Sequence, residues 1–150
     1  MKLETAPVVG KLAPLADGLD APYWSGLAEG RLVIQRCPAC STWLWAPSWI
    51  CRGCHHHGLD WHEVEPRGHV YSWTRTWQPF AAEFADHVPY VSVLVELADA
   101  PGCRLMGVLL GDDTVDPVIG VEVRGIIQPA SKLTSQMPVL RWQRDEGSKS

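Results

Sequence analysis

The residues of this chain whose type and spacing point most directly to chemistry are Cys37, Cys40, Cys51 and Cys54. They form two C-x-x-C pairs, Cys37-Pro-Ala-Cys40 and Cys51-Arg-Gly-Cys54, separated by the ten residues from Ser41 to Ile50. Each pair can wrap a metal in one tight turn, with backbone amides aimed at the sulfurs. Ten residues are enough for a β-hairpin that brings the pairs together. Four thiolates then complete a tetrahedral Zn2+ site, and iron held in the same four-sulfur geometry is the competing reading. Coordination closed by four protein ligands leaves no position for water or substrate, so a structural metal is expected and not a catalytic one.

Other candidate groups yield less. His55, His56 and His57 follow directly on Cys54, but the four cysteines already fill the coordination sphere, so a solvated or packing role is expected for them. Arg36 and Arg52 lie beside the thiolates. They either offset the excess negative charge of a four-thiolate site or are ordinary solvated arginines. Asp112, Asp113 and Asp116 read as a solvated loop, because carboxylates serve acid–base chemistry only in a shaped, partly dry site. The sequence contains no nucleophile elbow, phosphate loop or H-E-x-x-H, so no catalytic residue is assigned.

The elements that must carry the cysteines can be read on either side of them. Asp20 is a plausible N-cap, with Pro22 in the first turn, for a helix placing Tyr23, Trp24 and Leu27 on one face and stopped by Gly30. Arg31 to Arg36 reads as a strand leading to the first cysteine pair. After the metal segment, Val70–Trp77, Tyr90–Leu97, Arg104–Leu110, Val121–Ile127 and Val139–Trp142 read as five strands. Gly111–Pro117 is a loop or a single helical turn between the third and the fourth. Five strands in a meander with that interruption match the small Greek-key OB barrel. The expected fold is mainly β, with an arm and helix over 1–30, a zinc ribbon over 31–65, an OB-fold over 66–145 and a flexible tail over 146–150.

Eight tryptophans in 150 residues is a heavy load. Trp43, Trp45, Trp49 and Trp61 surround the ribbon, which has little interior, so packing on the barrel and anchoring a protein interface are equally open. Trp73, Trp77 and Phe80 could be core, a base-stacking platform or a partner surface, with core as the default.

Bulk composition narrows the function classes. Hydrophobic residues make up 46% and charged residues 20%, the balance of a folded domain. Net charge is −4. A cut after Glu65 leaves five basic against seven acidic residues before it and eight against ten after it. Neither part offers the broad positive surface from which nucleic-acid binding draws its affinity. The first ten residues lack the apolar core of a secretory signal, and runs such as Leu105–Leu110 fall far short of the roughly 20 residues a membrane span needs. A cytoplasmic location is expected. In a reducing cytosol the paired cysteines favour metal thiolates over disulfides, and Cys103, in an apolar stretch, reads as a buried, inert thiol.

The ordered set Gly30-Arg-Leu-Val-Ile-Gln-Arg-Cys-Pro-Ala-Cys40, Cys51-Arg-Gly-Cys54, Gly68-His-Val-Tyr-Ser-Trp-Thr74, Pro89-Tyr-Val-Ser-Val-Leu-Val-Glu-Leu97 and Ile119-Gly-Val-Glu-Val123 resembles a family long classed as a domain of unknown function. That family combines an N-terminal helix, a rubredoxin-like zinc ribbon and a C-terminal OB-fold. The resemblance implies a non-catalytic accessory subunit in a hetero-oligomer with a thiolase-like acyl-CoA enzyme: a steroid side-chain-cleaving aldolase, a thiolase or an acyltransferase. It also implies that a CoA thioester is bound, if at all, jointly with that partner. Ser41 and Thr42 stand where many relatives have Gly, which leaves the zinc ligands intact but the subgroup, and so the substrate, open. The alternative is an RNA- or single-strand-binding module with Trp73 and Trp77 as stacking rings. A third reading is direct acyl-CoA binding in which Arg75, Arg104 or Arg124 meets phosphates.

Overall fold

The structure is a computed structural model that describes residues 18–134 and 136–145, without the side chains of Glu83 and Leu133. The expected arm over Met1–Asp17 and the tail over Glu146–Ser150 lie outside the described residues.

Helix α1 spans Ala21–Ala28 with Pro22 in its first turn and buries Tyr23, Gly26 and Leu27. Asp20 flanks it but makes no side-chain cap. Its carboxylate instead accepts a 2.8 Å hydrogen bond from the Trp24 indole one turn on. Gly30 ends the segment with φ 76°, a conformation that costs glycine no Cβ clash.

Three strands build the ribbon: β1 (Leu32–Arg36), β2 (Trp43–Leu44) and β3 (Asp60–Val64), in the order β2-β1-β3. All pairings are antiparallel, with Gln35 opposite Leu44 and Ile34 opposite His62. β3 escapes a periodicity reading because Asp-Trp-His-Glu-Val buries only its last residue fully. Its place comes from pairing with the buried β1, not from its own apolar pattern.

The barrel strands are β4 (Arg67–Thr76), β5 (Tyr90–Leu97), β6 (Arg104–Leu110), β7 (Glu122–Gln128) and β8 (Val139–Arg144). Their closed order is β4-β5-β6-β8-β7. This is the five-stranded OB-fold expected, closed by a Greek-key connection after β6. After β6 the chain crosses to lay β7 against β4, and β8 returns to pair antiparallel with β7 and parallel with β6 at Leu109 and Leu110. Closure removes the free edges that an open sheet of five strands would expose.

Burial alternates perfectly along β5, whose Val91, Val93, Val95 and Leu97 point inward. These side chains share one core with Tyr23, Leu27, Leu32, Ile34 and Val64 from the helix and ribbon. Cys103 is buried in this core, and burial pushes its thiol above the ordinary range. The metal end of the ribbon has a much smaller interior of its own, made of Cys37, Leu44 and Cys51 with Leu59 against them.

The tryptophans divide by position. Trp142 is wholly buried, while Trp24, Trp43, Trp45, Trp61 and Trp73 are partly buried against the shared core. Trp77 and Phe80, expected by default to be core, are exposed together with Trp49. β4 ends at Thr76, so the two rings lie beyond the last barrel pairing and no inward position is open to them.

Candidate metal centre

The two C-x-x-C turns are near copies of each other. In the first, Cys37 N–H donates to Thr42 O and Ser41 N–H to Cys37 O, each at 2.9 Å. In the second, Cys51 N–H donates to His56 O and His55 N–H to Cys51 O, again at 2.9 Å. Ser41 and His55 occupy the equivalent left-handed position, with φ 63° and 61°. Glycine is the residue best suited to that conformation. Ser41→Gly is therefore expected to stabilise the metal-bound chain by about 0.5–1 kcal/mol, seen as a small rise in melting temperature. No rise, or a fall, would contradict the strain assigned to this turn.

Together the turns place the four sulfurs within 4.8 Å of one another. Cys37 Sγ lies 3.6 Å from Cys54 Sγ, and Cys40 Sγ lies 3.6 Å from Cys51 Sγ. Metal–sulfur bonds of about 2.3 Å in a tetrahedron separate the sulfurs by about 3.8 Å, so the donor set fits a single ion. Gly53 N–H points at Cys51 Sγ from 3.4 Å. The hydroxyl of Thr42, 3.1 Å from Cys40 Sγ, and the backbone of the same residue hold the Cys40 thiol below its ordinary range. The Gly53 amide, as a donor to sulfur, favours the thiolate that a metal requires.

The neighbours of the quartet act mainly through backbone and packing. His55, His56 and His57 are all exposed, and among the described residues the group placed to hold a metal consists of the four cysteines without them. Arg36 donates from Nε to Ser41 O at 3.2 Å and stacks its guanidinium over Trp43 at 5.1 Å. Arg52 reaches Trp45 O at 3.4 Å. Both arginines thus brace the loop between the cysteine pairs. A buried side chain that sequence reasoning did not single out completes the brace: the Gln35 amide donates to Ser48 O and accepts from Ser48 N–H.

The arginines considered for phosphate contacts are already engaged. Arg75 donates from Nε to Asp113 O at 2.8 Å, pairs with Asp116 at 2.7 Å and lies between the Trp73 and Trp77 rings. Arg104 pairs with Glu96 at 2.8 Å and covers Tyr71, and Arg124 donates to Gln143. The acidic loop is structured by these bonds: the Thr114 hydroxyl and amide hold the Asp112 carboxyl below the usual range, and burial pushes Asp113 up. Three grooves among the described residues are small. A groove between α1 and the ribbon holds about 290 Å³, one on the outer face of β4, β5 and β6 about 150 Å³, and one beside Ile127 and Arg141 about 260 Å³. Each falls below the roughly 300–1,000 Å³ of a typical small-molecule site.

This geometry has counterparts in known proteins. A family model described as the rubredoxin-like zinc ribbon domain of ChsH2 matches residues 24–60, and one described as the ChsH2 C-terminal OB-fold domain matches residues 61–127. The chain belongs to the ChsH2 zinc-ribbon and OB-fold family. Within that family, the chain is similar to one in a solved "Ltp2-ChsH2(DUF35) aldolase". The TM-score is 0.74 at 29% identity, covering 87% of this chain and 98% of that one. A DUF35 family protein of unknown function from Sulfolobus solfataricus shares the fold, with TM-score 0.60 at 15% identity, covering 86% and 87% of the two chains. In sequence, the chain is 40% identical over 95 residues to a probable enoyl-CoA hydratase alpha subunit from Thermomonospora curvata. That match covers 61% of this chain but only 28% of the relative's length. Among the described residues, no helix is long and apolar enough to cross a membrane.

Proposed function

We propose that this chain is a non-catalytic accessory subunit of a thiolase-like acyl-CoA enzyme in the cytoplasm, with one structural Zn2+ held by Cys37, Cys40, Cys51 and Cys54. The observation that carries this reading is the likeness of helix, ribbon and barrel to nearly the whole ChsH2 chain of the aldolase. The finer form of the reading is retro-aldol cleavage of a steroid-CoA thioester, with the chemistry on the partner and the thioester bound between the two chains. The shallow grooves support a shared site, since an acyl-CoA needs more concave surface than any of them supplies.

Coexpression of the chain with the thiolase-like enzyme of the same organism is expected to give one coeluting species on gel filtration. Cleavage of a steroid-CoA thioester is expected from that species and not from this chain alone. Separate elution of the two proteins at micromolar concentration would sink the accessory role, and turnover by this chain unaided would sink the non-catalytic one.

A further inference from the structure

We propose that the thiolase-like partner seats on a strip beside β4 formed by Trp77, Phe80, Val115, Val118 and Ile119, an inference that rests on the accessory-subunit reading above. These five side chains are 49–69% exposed. Val115, Val118 and Ile119 belong to the loop between β6 and β7, which is tied to β4 at two places. Gly120 N–H donates to Val70 O at 2.8 Å, and Arg75 holds Asp113 and Asp116 further along the strand. Trp77, stacked on Arg75 at 5.6 Å, follows directly on the end of β4, and Phe80, packed on Phe84 at 4.7 Å, lies three residues further on. From Val70 to Trp77 a strand advances about 23 Å, the scale of a protein interface and not of a small-ligand pocket.

The loop is held by bonds of its polar groups, although these groups are themselves exposed: Asp116 pairs with Arg75, the Val115 carbonyl accepts from Arg144 at 2.9 Å, and Asp112 accepts from the hydroxyl and amide of Thr114. Its apolar side chains are left facing water. Bonds of this kind fix the loop before anything binds, so covering it costs little further ordering entropy. A Trp and a Phe with aliphatic neighbours have the composition of an interface centre. A nucleic acid would need a positive surface beside the stacking rings, and here Arg75 is paired with Asp116 and the loop also carries Asp112 and Asp113. A protein surface is the occupant that this chemistry fits. Exposed Trp49 on the ribbon carries no such argument, because it lines a groove with Gly18, where the described residues begin.

The test is calorimetric titration of the full chain into the thiolase-like enzyme of the same organism. Val118→Asp and the double variant Trp77→Ala/Phe80→Ala are each expected to weaken binding roughly 100-fold or more. Trp49→Ala is expected to change it by less than about threefold. All the replaced side chains are exposed, and unchanged zinc content and circular dichroism establish that each variant is folded. If both strip variants bind as the wild type does, the strip is refuted while the accessory reading stands. If the wild type itself does not bind, both fall. Two other results would overturn the assignment by naming a different occupant: self-association of the wild type abolished by Val118→Asp, or oligonucleotide binding abolished by Trp77→Ala/Phe80→Ala.

Discussion

Cys51→Ser is expected to reduce bound zinc from about one ion per chain to near zero and to unfold the metal end of the ribbon. Cys51 is fully buried and is one of only three residues in the small interior at that end. Two cysteines and a leucine bury enough apolar surface for only a few kcal/mol. A structural zinc contributes on the order of 10 kcal/mol or more to the folding of comparable modules. The metal term therefore dominates, and no local rearrangement of Leu44 or Leu59 can replace it. Elemental analysis of the purified variant reads the loss of metal. Hydrogen exchange reads the loss of protection at Cys37, Ser41, Cys51 and His55, whose amides close the two turns. Cys103→Ser is the control, since that thiol is buried in the shared core away from the quartet and its variant is expected to keep its zinc. Full zinc occupancy in Cys51→Ser would contradict the ligand assignment.

The largest effect expected in the barrel comes from Trp142→Ala, at about 3–5 kcal/mol. Trp142 is the largest of the fully buried side chains, and it fits because Gly107 on the adjoining β6 has no Cβ. A Cβ there would lie 2.8 Å from the Trp142 ring and 3.1 Å from Leu140 O. Such a contact needs the strand to move, so the pair behaves as a knob and its hole, and the cavity left by alanine has no nearby side chain able to fill it. The indole Nε1 is buried without a hydrogen-bond partner among the described residues. Trp142→Phe removes that unpaired donor along with some volume, so its cost is expected to be about 1–2 kcal/mol, well under that of alanine. Chemical denaturation of the zinc-loaded chain measures both. Equal losses for Ala and Phe would show that polar pairing and not volume is what Trp142 supplies.

The two results differ in how they could be anticipated. The cysteine quartet is legible in the sequence because ligand chemistry is local: two tight turns carry their own geometry, and only one meeting between them has to be assumed. The strongest strands are legible for the same reason. β5 and β6 are bounded by turn residues, and β5 alternates in burial along its whole length. α1 is announced by its proline and its glycine stop, although the Asp20 carboxylate, expected as its cap, accepts from the Trp24 indole instead.

Which aromatic rings are inside is a different kind of question. Trp142, Trp73 and Trp77 have similar neighbours in sequence, yet one is sealed, one half-covered and one open. Their fates depend on where a strand stops and what lies across the sheet: Gly107 admits Trp142, while β4 ends before Trp77. The polar strand β3, the parallel pairing of β6 with β8 and the return of β7 to β4 are likewise set by partners far along the chain. So is the β6–β7 loop, because Arg75 and Arg144 reach it from separate strands. Residue type and short spacing thus determined the cysteine quartet and most elements, because those forces act within a few residues. Burial and surface were decided only by the tertiary structure, because each requires two distant segments to meet.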